Sequence, residues 1–371
     1  MAESRLFKPL TVGNLQLKHR LGMCPLTRYR ASDVHVPLPF FKDYYTQRAS
    51  VPGTLLISEG TFIAPEHGGY ANAPGIYNTA QIKAWREVTD AVHEKGSFIF
   101  CQLWALGRTI DMKAAAKEGI PLRSSGNIEV DSDRGPPTPL TVDEIKKTAQ
   151  QYAQAAKNAV DAGFDGVELH GANGYLIDQF LQDVCNNRTD SYGGSVENRS
   201  RFAVEVVQAV CDAIGPARTG IRFSPWSAYN AMRMDDPIPQ FTDIIQKLNA
   251  FNLAYVHLVE SRIAGAGDVD AADSLAFAIK ARKGVVLVAG GYKPDTAKKT
   301  VDEEYPDEDV VVMFGRYFIS TPDLPFRIES DLELTKYNRD SFYTPMSAVG
   351  YTDYSFSDEF LERQKSAGKA A

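Results

Sequence analysis

Residues 167–181 read VELHGANGYLIDQFL, an apolar run that leads into His170, with Asn173 three positions on and Tyr175 two further. An imidazole and a carboxamide can donate to one carbonyl oxygen, and a nearby phenol can give a proton to a neighbouring atom. Two donors on an oxygen beside one acid suit the reduction of a polarised double bond. Alone, such a histidine is more often a hydrogen-bonded structural residue; the company of Asn173 and Tyr175 is what points to chemistry. Arg222 stands between Ile221 and Phe223 on a strand-like run, where a guanidinium needs a buried anion or an equivalent partner. Taken alone, Gly290-Gly291 fits a tight strand-to-helix turn as well as a phosphate contact, and Gly315-Arg316 shifts the balance toward phosphate. His19, His35, His67, His93 and His257 form no metal-ligand spacing, so no metal is expected.

Such scattered residues need a frame that brings them together. Short β-branched runs at 21–26, 54–59, 97–104, 166–170, 219–224, 255–259, 285–289 and 310–314 alternate with segments of helical period. In 141–162, Ile145, Ala149, Tyr152, Ala156, Ala159 and Val160 fall on one face. Eight strand-helix units with parallel strands close a (β/α)8 barrel, whose active residues sit at the C-terminal strand ends. An open doubly wound sheet is the alternative, but no Gly-x-Gly-x-x-Gly follows Leu26. At those ends stand Thr27, Gly60, Gln102 with Trp104, His170, Arg222, Gly290 with Gly291, and Gly315 with Arg316. The expected architecture is α/β: a single TIM barrel domain over 1–371, with an inserted excursion at 107–140 over the barrel mouth. A C-terminal extension at 334–371, rich in tyrosine and phenylalanine, is expected to pack back on the body.

Composition narrows the partners. Lys+Arg 40 against Asp+Glu 47 leave a net charge of −7 with no long basic run, so no nucleic-acid partner is expected. Hydrophobic residues at 44% and charged residues at 23% match a folded globular chain rather than a disordered one. No apolar stretch nears the roughly 18 residues of a membrane span, and residues 1–20 lack a signal-peptide apolar region. Cys24, Cys101, Cys185 and Cys211 form no C-x-x-C pair, which suits a reducing, cytoplasmic setting. Monomer and homodimer both stay open.

Several segments, in order, resemble the old yellow enzyme family of FMN-dependent ene-reductases, its fungal members in particular. They are LFKPLTVGNLQLKHR at the start, PLTRYRA at 25–31, EGTFIAPEHGGYANAPGIY at 59–77, CQLWALGR at 101–108, the His170 segment, NNRTDSYGGSVENRSRF at 186–202 and FGRYFISTPDL at 314–324. The resemblance implies bound FMN, reduced by NADPH or NADH and reoxidised by an activated alkene in a ping-pong reaction. It implies Thr27 at the flavin O4 edge, Gln102 at the pyrimidine edge, Arg222 at the N1/O2 side and a backbone contact from Gly60. Gly290, Gly291, Gly315 and Arg316 would cradle the phosphate. A guanidinium at N1/O2 favours the reduced, anionic ring. His170 and Asn173 would bind the substrate carbonyl oxygen while hydride reaches the β-carbon and Tyr175 protonates the α-carbon. Tyr343 and Trp104 would line the substrate pocket.

Many members carry asparagine where Gly291 stands, so that contact would come from main chain alone. Fungal relatives act in secondary metabolism, including reduction of an unsaturated aldehyde in ergot-alkaloid pathways, and Tyr175 favours net reduction over isomerisation. Two other classes stay open. A flavin-free phosphate-binding lyase or isomerase would place a Schiff-base lysine or carboxylate cluster at the strand ends, and neither is found there. A catalytically idle flavin carrier would not need His170, Asn173 and Tyr175 together.

Overall fold

The computed structural model describes residues 4–370 apart from Ala266 and Ala271. Eight parallel strands form the barrel: β1 (Leu21–Met23), β2 (Leu55–Ile57), β3 (Phe98–Trp104), β4 (Gly166–His170), β5 (Thr219–Phe223), β6 (Tyr255–Val259), β7 (Val286–Ala289) and β8 (Val310–Phe314). Each pairs with its sequence neighbours, and β8 returns to β1, so the sheet closes as expected. Alternation decides what faces the axis. On β4, Val167 and Leu169 pack outward with helix residues such as Ala156 and Val206, which turns Glu168 and His170 inward.

Helices α1 (Phe40–Arg48), α2 (Thr79–Glu94), α3 (Val142–Asp161), α4 (Val196–Ile214) and α5 (Ile238–Leu248) cover β1 to β5 on the outside, and shorter helices follow the last three strands. Their starts are written in side chains. Asn78 and Gln81 close a capping box on α2, and Thr141 and Glu144 do the same on α3. No helix among the described residues is long and apolar enough to cross a membrane.

The two ends of the barrel differ. At the N-terminal end an antiparallel hairpin, Leu10–Val12 with Leu15–Leu17, packs its leucines against Leu55, Phe100, Tyr255 and Leu287 and plugs the interior. Only the C-terminal end is left for a ligand. The excursion contributes a helix, Met112–Glu118, and a short ladder of Arg123–Ser124 with Thr138–Pro139. Its Ile110 and Ala115 pack in one cluster with Phe62, Trp104 and Tyr175. Through them the excursion packs on the wall that Trp104 and Tyr175 form at the barrel mouth.

The C-terminal extension does pack back on the body. Three buried arginines grip its carbonyls: Arg28 Nη2 donates to Gly350 at 2.7 Å, Arg30 Nη2 to Ser341 at 2.8 Å and Arg48 Nη2 to Tyr351 at 3.1 Å. Main-chain acceptors make such burial of guanidinium groups tolerable. The Tyr351 ring stacks on Tyr44 at 3.9 Å, and the strap so fixed carries Tyr343 to the barrel mouth.

Candidate active site

A cavity of about 790 Å³ opens at the C-terminal strand ends, in the upper part of the range for small-molecule sites. Of the expected residues, Thr27, Gln102, Trp104, His170, Asn173, Tyr175, Arg222, Gly290, Gly291, Gly315, Arg316 and Tyr343 all line it. Gly60 does not. It lies behind Trp104, where a Cβ would come 2.6 Å from the indole Cε3, so its lack of a side chain serves the packing of that ring.

The segment after β4 is shaped by two successive left-handed residues, Asn173 at φ +59° and Gly174 at φ +77°. Glycine adopts this conformation freely and asparagine readily. Asn173 N donates to Ser224 Oγ at 2.7 Å, and Asn173 O accepts from Asn230 Nδ2 at 2.8 Å. With its main chain so tied, the carboxamide remains for the cavity. Asp178 Oδ2 accepts from Gly174 N at 2.9 Å, and Gln179 Nε2 donates to Gly174 O at 2.8 Å. The loop is therefore clamped from below. The Tyr175 ring meets Trp104 edge-on at 4.9 Å and His170 at 4.7 Å.

Electrostatics sort the donors. Burial, with Arg222 and His257 nearby, holds His170 well below the usual histidine range, so the imidazole stays neutral. Burial, with Tyr70 and Tyr229 around it, holds Tyr175 well above the usual phenol value, so it keeps its proton. Neither group titrates between pH 6 and 9, and the rate of substrate reduction should be level there. Asp178, lifted to about 7 by burial, and Glu59, lifted to about 8 by burial, do fall in that range. They should give at most shallow inflections, which Asp178→Asn and Glu59→Gln remove in stopped-flow traces; a limb that survives both would show His170 or Tyr175 titrating in range.

Some residues that line the cavity carry buried polar atoms without a partner. Among the described residues these include His170 Nδ1, Arg222 Nε and Trp104 Nε1. Gln102 donates its Nε2 to Glu168, which leaves its Oε1 as an acceptor. Gly290 and Gly291, at φ +132° and +67°, expose backbone beside Arg316. A cation on one side, an amide acceptor on another and a glycine cradle suit a flavin ring with its phosphate tail.

Other wall residues escaped the sequence reading. Tyr29, Tyr70 and Tyr229 line the mouth, with Tyr29 at 6.2 Å from Tyr70 and 5.6 Å from Tyr343. Tyr29 is two residues past Thr27 and could have been found by that spacing, as could Lys293, two past Gly291. Tyr229 carries no local signal. Nor does Asp268, which lies on the hairpin of Ile263–Ala264 with Gly267–Asp268 and pairs with Arg316 at 2.7 Å.

The chain is similar to several known proteins. A model of the NADH:flavin oxidoreductase / NADH oxidase family matches residues 5–335. A chanoclavine-I aldehyde reductase of Penicillium roqueforti is 57% identical over 98% of this chain and 100% of its own. A probable inactive dehydrogenase of Claviceps purpurea is 47% identical over 100% of both chains. The crystal structure of old yellow enzyme from a Pichia species superposes with a TM-score of 0.90 and 37% identity, covering 96% of this chain and 95% of the other. The chain belongs to the NADH:flavin oxidoreductase / NADH oxidase family, among the old yellow enzymes, and is an oxidoreductase.

Proposed function

We propose that the protein reduces the carbon–carbon double bond of α,β-unsaturated aldehydes in fungal secondary metabolism, with NADPH as the electron source and FMN as the bound cofactor. The observation that carries this reading is the meeting of unpartnered His170 Nδ1 and Arg222 Nε with Tyr175 in one cavity. FMN, when bound, supplies two-electron transfer from nicotinamide nucleotide to alkene. Arg222, Thr27 and the Gln102 acceptor would hold its ring, and Gly290, Gly291, Gly315 and Arg316 its phosphate. His170 and Asn173 grip the aldehyde oxygen and draw electron density from the double bond, so the β-carbon accepts hydride. Tyr175 gives its proton to the α-carbon and regains one from solvent.

The Penicillium relative's name supports an aldehyde substrate. Relatives named as inactive show that likeness over the whole chain does not by itself secure turnover. Here Tyr175, His170 and Asn173 line one cavity, which supports turnover. Anaerobic turnover of an unsaturated aldehyde with NADPH tests the reading: the saturated aldehyde is expected, and an allylic alcohol or no product would refute it.

Asp268 bears on cofactor uptake. Its carboxylate occupies the Arg316 guanidinium and also accepts from Arg339 at 3.1 Å. A phosphate must compete with it. Exposed ion pairs are worth about 0–1 kcal/mol, so Asp268→Asn is expected to tighten FMN binding no more than about fivefold, read by flavin fluorescence quenching. Weaker binding would mean that Asp268 helps build the cradle.

A further inference from the structure

One layer below His170 and Arg222, the barrel holds a carboxylate that no role assigned above explains. Glu168 on β4 is wholly buried. It stands in register with Gln102 on β3 and Gly220 on β5, while His170, Arg222 and His257 share the next layer toward the mouth. Glu168 Oε1 accepts from Gln102 Nε2 at 2.8 Å, and Oε2 pairs with His257 Nδ1 at 2.8 Å. Gly220 makes the layer fit, because a Cβ there would lie 2.4 Å from the Tyr255 ring. The titratable and charged groups that face Glu168 are His257, Arg222, Tyr255 and Cys24.

Burial pushes the Glu168 carboxyl up, but His257, Arg222 and the Gln102 bond outweigh it and leave the group below its usual range, hence ionised. Burial holds His257 below its own usual value, so the ring is neutral, and its one proton sits on Nδ1 facing the carboxylate. Two consequences follow for the cavity floor. With one Nε2 hydrogen held by Glu168, the amide of Gln102 is oriented and its oxygen is free to accept from a ligand N–H. The Arg222 cation, which would otherwise act alone on a ring that gains negative charge, has an anion beneath it.

We propose that Glu168 is a positioning residue for the bound cofactor: it fixes Gln102 with its oxygen toward the cavity and offsets the Arg222 charge, and so sets how strongly reduced flavin is held relative to oxidised flavin. This rests on the FMN reading above.

The test is the midpoint potential of FMN bound to the wild type and to Glu168→Gln, by equilibrium dye reduction. Glutamine keeps the shape, and its oxygen can still accept from Gln102. Without the carboxylate, Arg222 acts unopposed and reduced flavin should gain about tenfold over oxidised, a rise of about 30 mV for a two-electron couple. An unmoved or lowered potential overturns the proposal. His257→Phe gives an independent reading, because it removes the donor and leaves the carboxylate. Glu168 should then take a proton at higher pH, so the potential should rise toward the glutamine value in acid and return to the wild-type value in base. A wild-type pH slope throughout would overturn the proposal as well. A wild type that takes up no FMN brings down the cofactor reading and this inference together, whereas FMN-loaded proteins with equal potentials sink this inference alone.

Discussion

Tyr175→Phe is expected to slow alkene reduction by a factor of about 10²–10⁴, the usual contribution of a positioned general acid, while reduction of bound flavin by NADPH stays near the wild-type rate. Only the hydroxyl is lost. The ring contacts with Trp104 at 4.9 Å and His170 at 4.7 Å can persist, so the wall of the pocket should keep its shape. Burial keeps the phenol protonated across the working range, which makes it a ready donor at neutral pH. Hydride transfer from the nucleotide needs no proton on an alkene carbon, and the two half-reactions therefore separate the roles. Stopped-flow measurement of each checks it: equal slowing of both would assign the hydroxyl to nucleotide binding, and no slowing would place the proton donor elsewhere.

Removing both oxygen-binding groups should have an effect of similar size. Hydrogen bonds to a charged oxygen are worth about 1.5–3 kcal/mol each, so His170→Ala with Asn173→Gly should cost roughly 10²–10⁴ in alkene reduction. Glycine is the cleaner deletion at 173, because the backbone there has φ +59° and alanine would add strain. FMN should still bind, since Arg222, Gln102 and the glycine cradle remain. A double variant that reduces alkene within tenfold of the wild type would show that the substrate oxygen is held by other groups.

How much of this could be read in the chain depends on whether the physics is local. The eight strands were legible because each packs branched side chains outward against helices. His170, Asn173 and Tyr175 were legible because one short loop carries all three, and Arg222 because a cation on an apolar strand demands a partner. Glu168 and His257 are different. Both sit on apolar runs, 89 residues apart, and only the register of three parallel strands brings them to 2.8 Å. His257 matched no metal spacing and gave no other signal. Asp268, on a short hairpin, and Tyr229, on a loop, depend for their placement on the closed barrel. Charge and a Gly-Pro-Pro turn mark the excursion as a loop but do not say which barrel residues its Ile110 and Ala115 will pack against. Gly60 was placed at the flavin by resemblance, and its close approach to the Trp104 indole, which leaves no room for a side chain, could not be read from the chain.

The most direct test of the central claim is an absorption spectrum of the FMN-loaded protein during titration with a phenol. Electron-rich phenolate stacked on oxidised flavin, its oxygen held by His170 and Asn173, should give a saturable long-wavelength charge-transfer band that the double variant lacks. A protein that takes up no FMN, or one whose flavin spectrum ignores the phenol, would contradict the account.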